Sequence, residues 1–517
     1  QPSCLIQLDE GAVQGVDAGP SCTFLGIPYA ASTAGNNRWR APQPAAPWMP
    51  VVLQANTPPA TCAGYSAALA PQGSEDCLKL NIWVPDPQPT DAPVILWIHT
   101  GSFMSASANF ASTNGRKLAE ETGVIVVAPN YRLGPFGFLS HTALAAEDPQ
   151  GSSGNYGLLD QQAALRWVRD NIVRFGGDPS NVTLAGTSAG GQSAGLHLVI
   201  PGSAGLFQRA IIESAYPTTR WFSTQEAQDQ GADFAAALGC TDPLSAAACL
   251  RSQSQSAVLT ALPVAASQVA EPPGRVYWEP VVDGVVIPEQ PRVLFENGAF
   301  VHVPAIVGFN RDEGWGNFVT RSFPAGVSLQ NYTAWVTAEF GAHGADVLAR
   351  YPAAAFPSPA DAMARVVGDV QFACEARRLA RALERSRTPV FLYSYEYEID
   401  DLSLDHVIHG VETNILFNNP YVAPFTNHPL NAADLALHAQ MAGYWVRFAS
   451  TGDPNTDDES VVRWPAFKHP TGNGRGADKY LVLDSVIREG MRPREAACDF
   501  FEPFFFRAVL VGVPASQ

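Results

Sequence analysis

Val182-Thr183-Leu184-Ala185-Gly186-Thr187-Ser188-Ala189-Gly190-Gly191 is the stretch on which the fold turns. It opens as a β-branched apolar run, passes through Gly-x-Ser-x-Gly, and continues into small residues that suit a helix. A serine in so sharp a strand-to-helix turn sits on strained backbone with its hydroxyl presented outward. Gly186 and Gly190 leave room for the strand and the helix to approach closely. The start of the helix favours negative charge nearby. Ser188 is therefore the candidate nucleophile. Chance alone supplies roughly a few tenths of such a match in a chain of this length, so the surroundings have to carry the reading.

Outward from this turn, residues 94–98, 124–128, 182–185, 305–308 and 391–395 read as short buried strands. Between them, residues 159–175 carry apolar side chains at helical spacing and stop at Gly176-Gly177, and the Ala-rich residues 232–238 read as helix. Strands alternating with helices predict an α/β fold, a mostly parallel central sheet with helices on both faces. No repeat, low-complexity tract or linker interrupts the chain, and residues 1–517 read as one domain.

The strand at 94–98 runs into His99-Thr100-Gly101-Ser102-Phe103. Small residues at this point let backbone N–H groups face a site, and the N–H groups of Gly101, Ser102 and Ala189 are the expected oxyanion donors. In this arrangement the acid and then a histidine follow the nucleophile along the chain. Of the later histidines, 302, 343, 406, 409, 428, 438 and 469, His409 stands out because His409-Gly410 follows a polar loop; His406 is its rival. After residues 305–308, Phe309-Asn310-Arg311-Asp312-Glu313-Gly314 offers two adjacent carboxylates, and either can orient an imidazole. Such a constellation needs neither metal nor cofactor.

Of 517 residues, 46% are hydrophobic and the mean hydropathy is −0.02, as in water-soluble globular proteins. A net charge of −17 argues against nucleic acid and strongly anionic surfaces as partners. No apolar run approaches the roughly 18 residues of a membrane span, so no membrane anchor is expected. From the start at Gln1-Pro2-Ser3, without Met or an apolar leader run, a mature chain after signal-peptide removal is expected. Eight cysteines permit 105 pairings. Nearest-neighbour pairing joins Cys4 to Cys22, Cys62 to Cys77 and Cys240 to Cys249, leaving Cys374 with Cys498. No pair has Cys-x-x-Cys spacing, so structural disulfides and a secreted or periplasmic location are expected.

Further segments span nearly the whole chain: Phe24-Leu25-Gly26-Ile27-Pro28-Tyr29, Ser74-Glu75-Asp76-Cys77-Leu78, Asn81-Ile82-Trp83-Val84-Pro85, Asn130-Tyr131-Arg132, Gly154-Asn155-Tyr156-Gly157-Leu158 with Asp160-Gln161, Phe175-Gly176-Gly177-Asp178-Pro179 and Trp464-Pro465. Together they resemble the type-B carboxylesterase family, which includes cholinesterases, bile-salt-activated lipases and fungal lipases. The resemblance implies an α/β-hydrolase fold and a serine carboxylesterase acting on a neutral small-molecule ester; the alternatives are a lipase or sterol esterase acting on long-chain acyl esters and a non-catalytic adhesion module. A monomer is expected, with a dimer as its alternative. It implies Ser188 as nucleophile, Glu313 as acid and His409 as base, and supports the disulfides Cys62–Cys77, Cys240–Cys249 and Cys374–Cys498, with Cys4–Cys22 as an added pair. By the same analogy Arg38 pairs with Glu75, and Arg132 with Asp178. Three departures bear on substrate. Thr187 stands where many members carry Glu; the Cys62–Cys77 loop is short and lacks Trp; Thr100 and Ser102 replace oxyanion-loop glycines. Gly274 and Val276 stand where cholinesterases have bulky acyl-pocket aromatics, which implies a roomier pocket.

Overall fold

The computed structural model describes residues 4–265, 275–316, 318–323, 325–399, 406–420, 429–469 and 478–502. Eleven of the described strands form one sheet: β1 (Val16–Asp17), β2 (Ser21–Pro28), β3 (Lys79–Pro85), β4 (Ala92–Ile98), β5 (Ile125–Pro129), β6 (Gly177–Thr187), β7 (Arg209–Glu213), β8 (Ala305–Asn310), β9 (Val390–Tyr395), β10 (Lys479–Leu483) and β11 (Arg488–Met491). Their spatial order is β11-β10-β9-β8-β7-β6-β4-β5-β3-β2-β1. From β5 to β10 every neighbour runs parallel. The strands β1, β2 and β3 form an antiparallel meander on one flank, and β11 closes the other. The helices that concern the site are α1 (Tyr156–Asn171), α2 (Ala189–Val199), α3 (Thr224–Ala237), α4 (Pro359–Val367), α5 (Cys374–Arg385), α6 (Glu412–Leu416) and α7 (Ala432–Thr451).

Successive side chains of a strand point to opposite faces, and β4 shows what that does here. Val94, Leu96 and Ile98 join an apolar layer with Leu158, Leu165 and Val168 of α1 and Leu196 of α2. Ile95 and Trp97 enter the opposite layer with Met441, Tyr444, Trp445 and Phe448 of α7. The sheet is therefore covered by helices on both faces, which is why its parallel strands read as unbroken apolar runs. Each such aliphatic side chain, wholly withdrawn from water, stabilises the fold by about 1.5–3 kcal/mol. Helix α1 starts three residues before the expected boundary. It continues through a 3-10 turn, Ile172–Phe175, to Gly176, whose φ of 85° closes the helix in the left-handed region.

Four disulfides join Cys4 to Cys22, Cys62 to Cys77, Cys240 to Cys249 and Cys374 to Cys498. Arg38 makes a two-pronged pair with Glu75, at 2.8 and 2.5 Å. Arg132 departs from expectation: its partner is Asp160, at 2.8 and 2.7 Å, not Asp178. Asp160 lies fully buried on α1 and also accepts the Arg132 backbone N–H. Asp178 sits near the start of β6, where its carboxylate accepts both the N–H and the hydroxyl of Ser180. A buried guanidinium needs an equally buried carboxylate, and only Asp160 meets that condition. No helix among the described residues is long and apolar enough to cross a membrane.

Candidate active site

The tip of β6 delivers Ser188 into the start of α2. Its backbone stands at φ 58° and ψ −124°, a conformation that L-residues rarely occupy and that the surroundings must impose. The Ser188 N–H donates to Glu213 O at 3.0 Å, and Ser188 O accepts Gln192 N–H at 2.7 Å. The glycines explain the geometry. A Cβ on Gly190 would lie 2.0 Å from Ile98 O, and one on Gly186 2.5 Å from the Gly190 carbonyl carbon. Any side chain at either position would push α2 off the sheet.

Next to this turn, β4 ends in the loop of His99, Thr100, Gly101, Ser102 and Phe103. Gly101 has φ 112°, and the non-glycine residues Ser102 and Phe103 have φ 55° and 58°. His99 is buried and stacked on Tyr131 with ring centroids 4.3 Å apart; burial lowers its pKa to about 4, so it is neutral at physiological pH.

The turn after β8 places Glu313, wholly buried, with one carboxylate oxygen 2.5 Å from His409 Nδ1 and the other accepting the Asn310 N–H at 2.7 Å. His409 Nε2 is buried and has no hydrogen-bond partner among the described residues. Burial by itself would lower the imidazole pKa, but the charge and hydrogen bond of Glu313 outweigh it and hold it above its ordinary value. The ring packs edgewise against Phe318 at 5.2 Å and tilted against Phe372 at 5.1 Å. The rival residues lie elsewhere. Asp312 accepts from Arg311 Nε at 2.8 Å and from the Val407 N–H at 3.0 Å. His406 packs tilted against Trp315, with ring centroids 4.3 Å apart, and faces Asp361 at 3.5 Å. His428 and Gly274 lie outside the described residues. Among the described residues, no group of three or more His, Cys, Asp or Glu is arranged to hold a metal.

Two carboxylates behind the site escape a reading of the sequence. Glu412 accepts from Thr187 Oγ1 at 3.2 Å and from Ser214 Oγ at 3.4 Å, and Asn310 Nδ2 donates to its other oxygen. Burial, then the charge of Glu313, push its pKa up to about 7. Glu213 is bonded to Trp445 Nε1 at 2.7 Å; burial and the nearby Glu412 push its pKa well up. A signal existed for each: Glu213 ends the apolar run Ala210-Ile211-Ile212, and Glu412 follows His409 by three residues. Through Thr187 and Glu412, the residue beside Ser188 is tied to the short helix that follows His409.

A mostly parallel sheet with a strained serine at the mouth of a strand-turn-helix, and a buried histidine–carboxylate pair on the loops beyond, defines an α/β hydrolase. The carboxylesterase family profile matches residues 2–500. Similar proteins include a fumonisin B1 esterase of Sphingopyxis macrogoltabida, 35% identical over 483 residues, which cover 90% of this chain and 85% of that protein. A para-nitrobenzyl esterase of Bacillus subtilis (strain 168) is 32% identical over 490 residues, covering 93% and 95%. The chain belongs to the carboxylesterase family and is a carboxylic-ester hydrolase acting on small-molecule esters.

Proposed function

We propose that Ser188, His409 and Glu313 perform this hydrolysis as nucleophile, base and acid, in a two-step acyl transfer on neutral carboxylic esters. The observation that carries the reading is the 2.5 Å bond between Glu313 and His409 Nδ1, which leaves Nε2 as the ring atom free to exchange a proton. His409 takes the Ser188 proton as the hydroxyl attacks the ester carbonyl, and the oxyanion is held by the N–H groups of Gly101, Ser102 and Ala189. His409 then gives the proton to the departing alcohol. Water repeats the cycle on the acyl-enzyme while Glu313 holds the imidazole tautomer and balances its charge.

Neutral substrates are favoured because Thr187 puts an uncharged hydroxyl, already engaged with Glu412, beside the nucleophile. The short Cys62–Cys77 loop supports a small ester over an emulsified lipid. Tyr65 N–H donates to Met104 O at 2.8 Å and its hydroxyl to Leu259 O at 3.0 Å, which pins the loop against the site. Relatives named for fumonisin B1 and for para-nitrobenzyl esters support a small-molecule substrate too. Four disulfides support a secreted or periplasmic enzyme, and the reading takes it as a monomer.

The test is covalent labelling with an organophosphate. The adduct is expected on Ser188, with labelling and ester hydrolysis both lost in Ser188→Ala. A folded native protein that hydrolyses esters yet stays unlabelled overturns the assignment. A panel of esters graded in acyl length then reads the substrate class; preference for emulsified long-chain esters would replace the small-ester reading with a lipase.

A further inference from the structure

A peptide plane fixes its N–H opposite its C=O, so whatever holds a carbonyl aims the amide hydrogen of the next residue. Three consecutive carbonyls of the oxyanion loop are held. Thr100 O lies 2.7 Å from His99 Nδ1, which must carry the proton because a carbonyl only accepts. Gly101 O accepts Met104 N–H and Ser105 N–H, both at 2.9 Å, and the Ser105 hydroxyl at 3.0 Å. These two carbonyls belong to the peptides that carry the Gly101 and Ser102 N–H groups. The third, Ser102 O, accepts the Tyr277 hydroxyl at 3.1 Å, and this anchor comes from a remote stretch of chain.

Ser102 is where an extra anchor has most effect. It occupies the left-handed region at φ 55°, as does Phe103 after it, and a side chain there strains the backbone. Holding the carbonyl on the far side of Ser102 Cα blocks the rotation by which the residue would escape. We propose that Tyr277 is a positioning residue of the oxyanion hole: its hydroxyl locks Ser102 in the left-handed conformation that aims the Ser102 N–H. The proposal rests on the assignment of Gly101, Ser102 and Ala189 as oxyanion donors.

Tyr277 is itself rigidly mounted. Its carbonyl accepts Gln230 Nε2 of α3 at 3.1 Å. The preceding residue is bridged to the 263–265 segment: Val276 N–H donates to Pro263 O at 2.9 Å, and Ala265 N–H to Val276 O at 2.8 Å. Burial keeps the phenol protonated far beyond neutral pH, so it remains a donor.

The experiment compares native enzyme with Tyr277→Phe, which keeps the ring and removes only the hydroxyl. Three quantities are measured: kcat on a small ester, the inhibition constant of a trifluoromethyl ketone that forms a tetrahedral adduct, and that of the matching methyl ketone as a planar control. Because the donor is misaimed and not deleted, we expect kcat to fall about tenfold, less than the 10²–10³ of a lost donor. The trifluoromethyl ketone should weaken by a similar factor, with the methyl ketone and KM nearly unchanged. In a Ser102→Gly background, where the left-handed conformation is free of strain, the effect of Tyr277→Phe should shrink at least threefold. Unchanged kcat and adduct affinity, equal weakening of both ketones, or strict additivity of the two substitutions overturns the role of Tyr277 alone. A native enzyme that hydrolyses esters but forms no adduct at Ser188 overturns the underlying donor assignment and this proposal with it.

Discussion

Two neighbouring carboxylates leave β8 and part company. Glu313 turns inward to His409, while Asp312 turns to Arg311 and the Val407 N–H. Under the proposed mechanism Glu313→Gln should lower kcat by about 10⁴, as expected when the residue that fixes the base's tautomer is lost. Asp312→Asn should cost less than tenfold, and steady-state kinetics on one ester decides between them. The pH profile follows from the same contact. A protonated His409 cannot accept the Ser188 proton, and its pKa is held above 6.5, so kcat/KM should rise with pH through an apparent pKa above 6.5. Without the Glu313 charge and hydrogen bond, burial is opposed only by the more distant charge of Glu412, so the acid limb of the residual activity of Glu313→Gln should move to lower pH than in the native enzyme. A limb that stays in place would mean that Glu313 does not set the charge on the base. The neighbouring residues of the sequence could not make this choice: Asp312 and Glu313, or His406 and His409, differ only in which way the turn sends each side chain. For Arg132 the resemblance implied Asp178 alone, and the burial of α1 makes Asp160 the partner instead.

At the level of elements, five of the seven parallel strands, β4, β5, β6, β8 and β9, were legible because burial on both faces writes them as apolar runs, whereas β7 and β10 escaped the sequence reading. The flanking β2 and β3 were not read as strands. Ser21, Thr23, Lys79 and Asn81 interrupt their apolar pattern, since Asn81 spends its side chain on Gly26, Ala108 and Asn109 instead of on an apolar layer. The strand-turn-helix at Ser188 was legible for a different reason: close approach leaves glycine in the sequence. Gly190→Ala should therefore cost more than 3 kcal/mol, because the new methyl would meet Ile98 O at 2.0 Å and neither β4 nor α2 can retreat without opening the core. Chemical denaturation reads this directly. A loss below 1 kcal/mol would show that the helix can shift without breaking its packing.

Across the whole molecule, composition indicated a folded, acidic chain, and the disulfides mark where it is tied. The bridge Cys374–Cys498 spans 124 positions and Cys240–Cys249 spans 9. Chain-entropy arguments assign them about 5 and about 2.6 kcal/mol. The double substitution of Cys374 and Cys498 by Ser should then lower the unfolding free energy by roughly twice as much as that of Cys240 and Cys249. Equal losses would show that native contacts, not the shortened unfolded loop, set the effect. The longer bridge also encloses His409. A protease that cuts once between Cys374 and His409 makes two new ends but frees no fragment, so the piece carrying His409 stays covalently attached to the piece carrying Ser188. A nicked enzyme of this kind should keep its size on a non-reducing gel, separate into two pieces only when a thiol is added, and survive a single cleavage in a digestive environment that would dismantle an untethered fold.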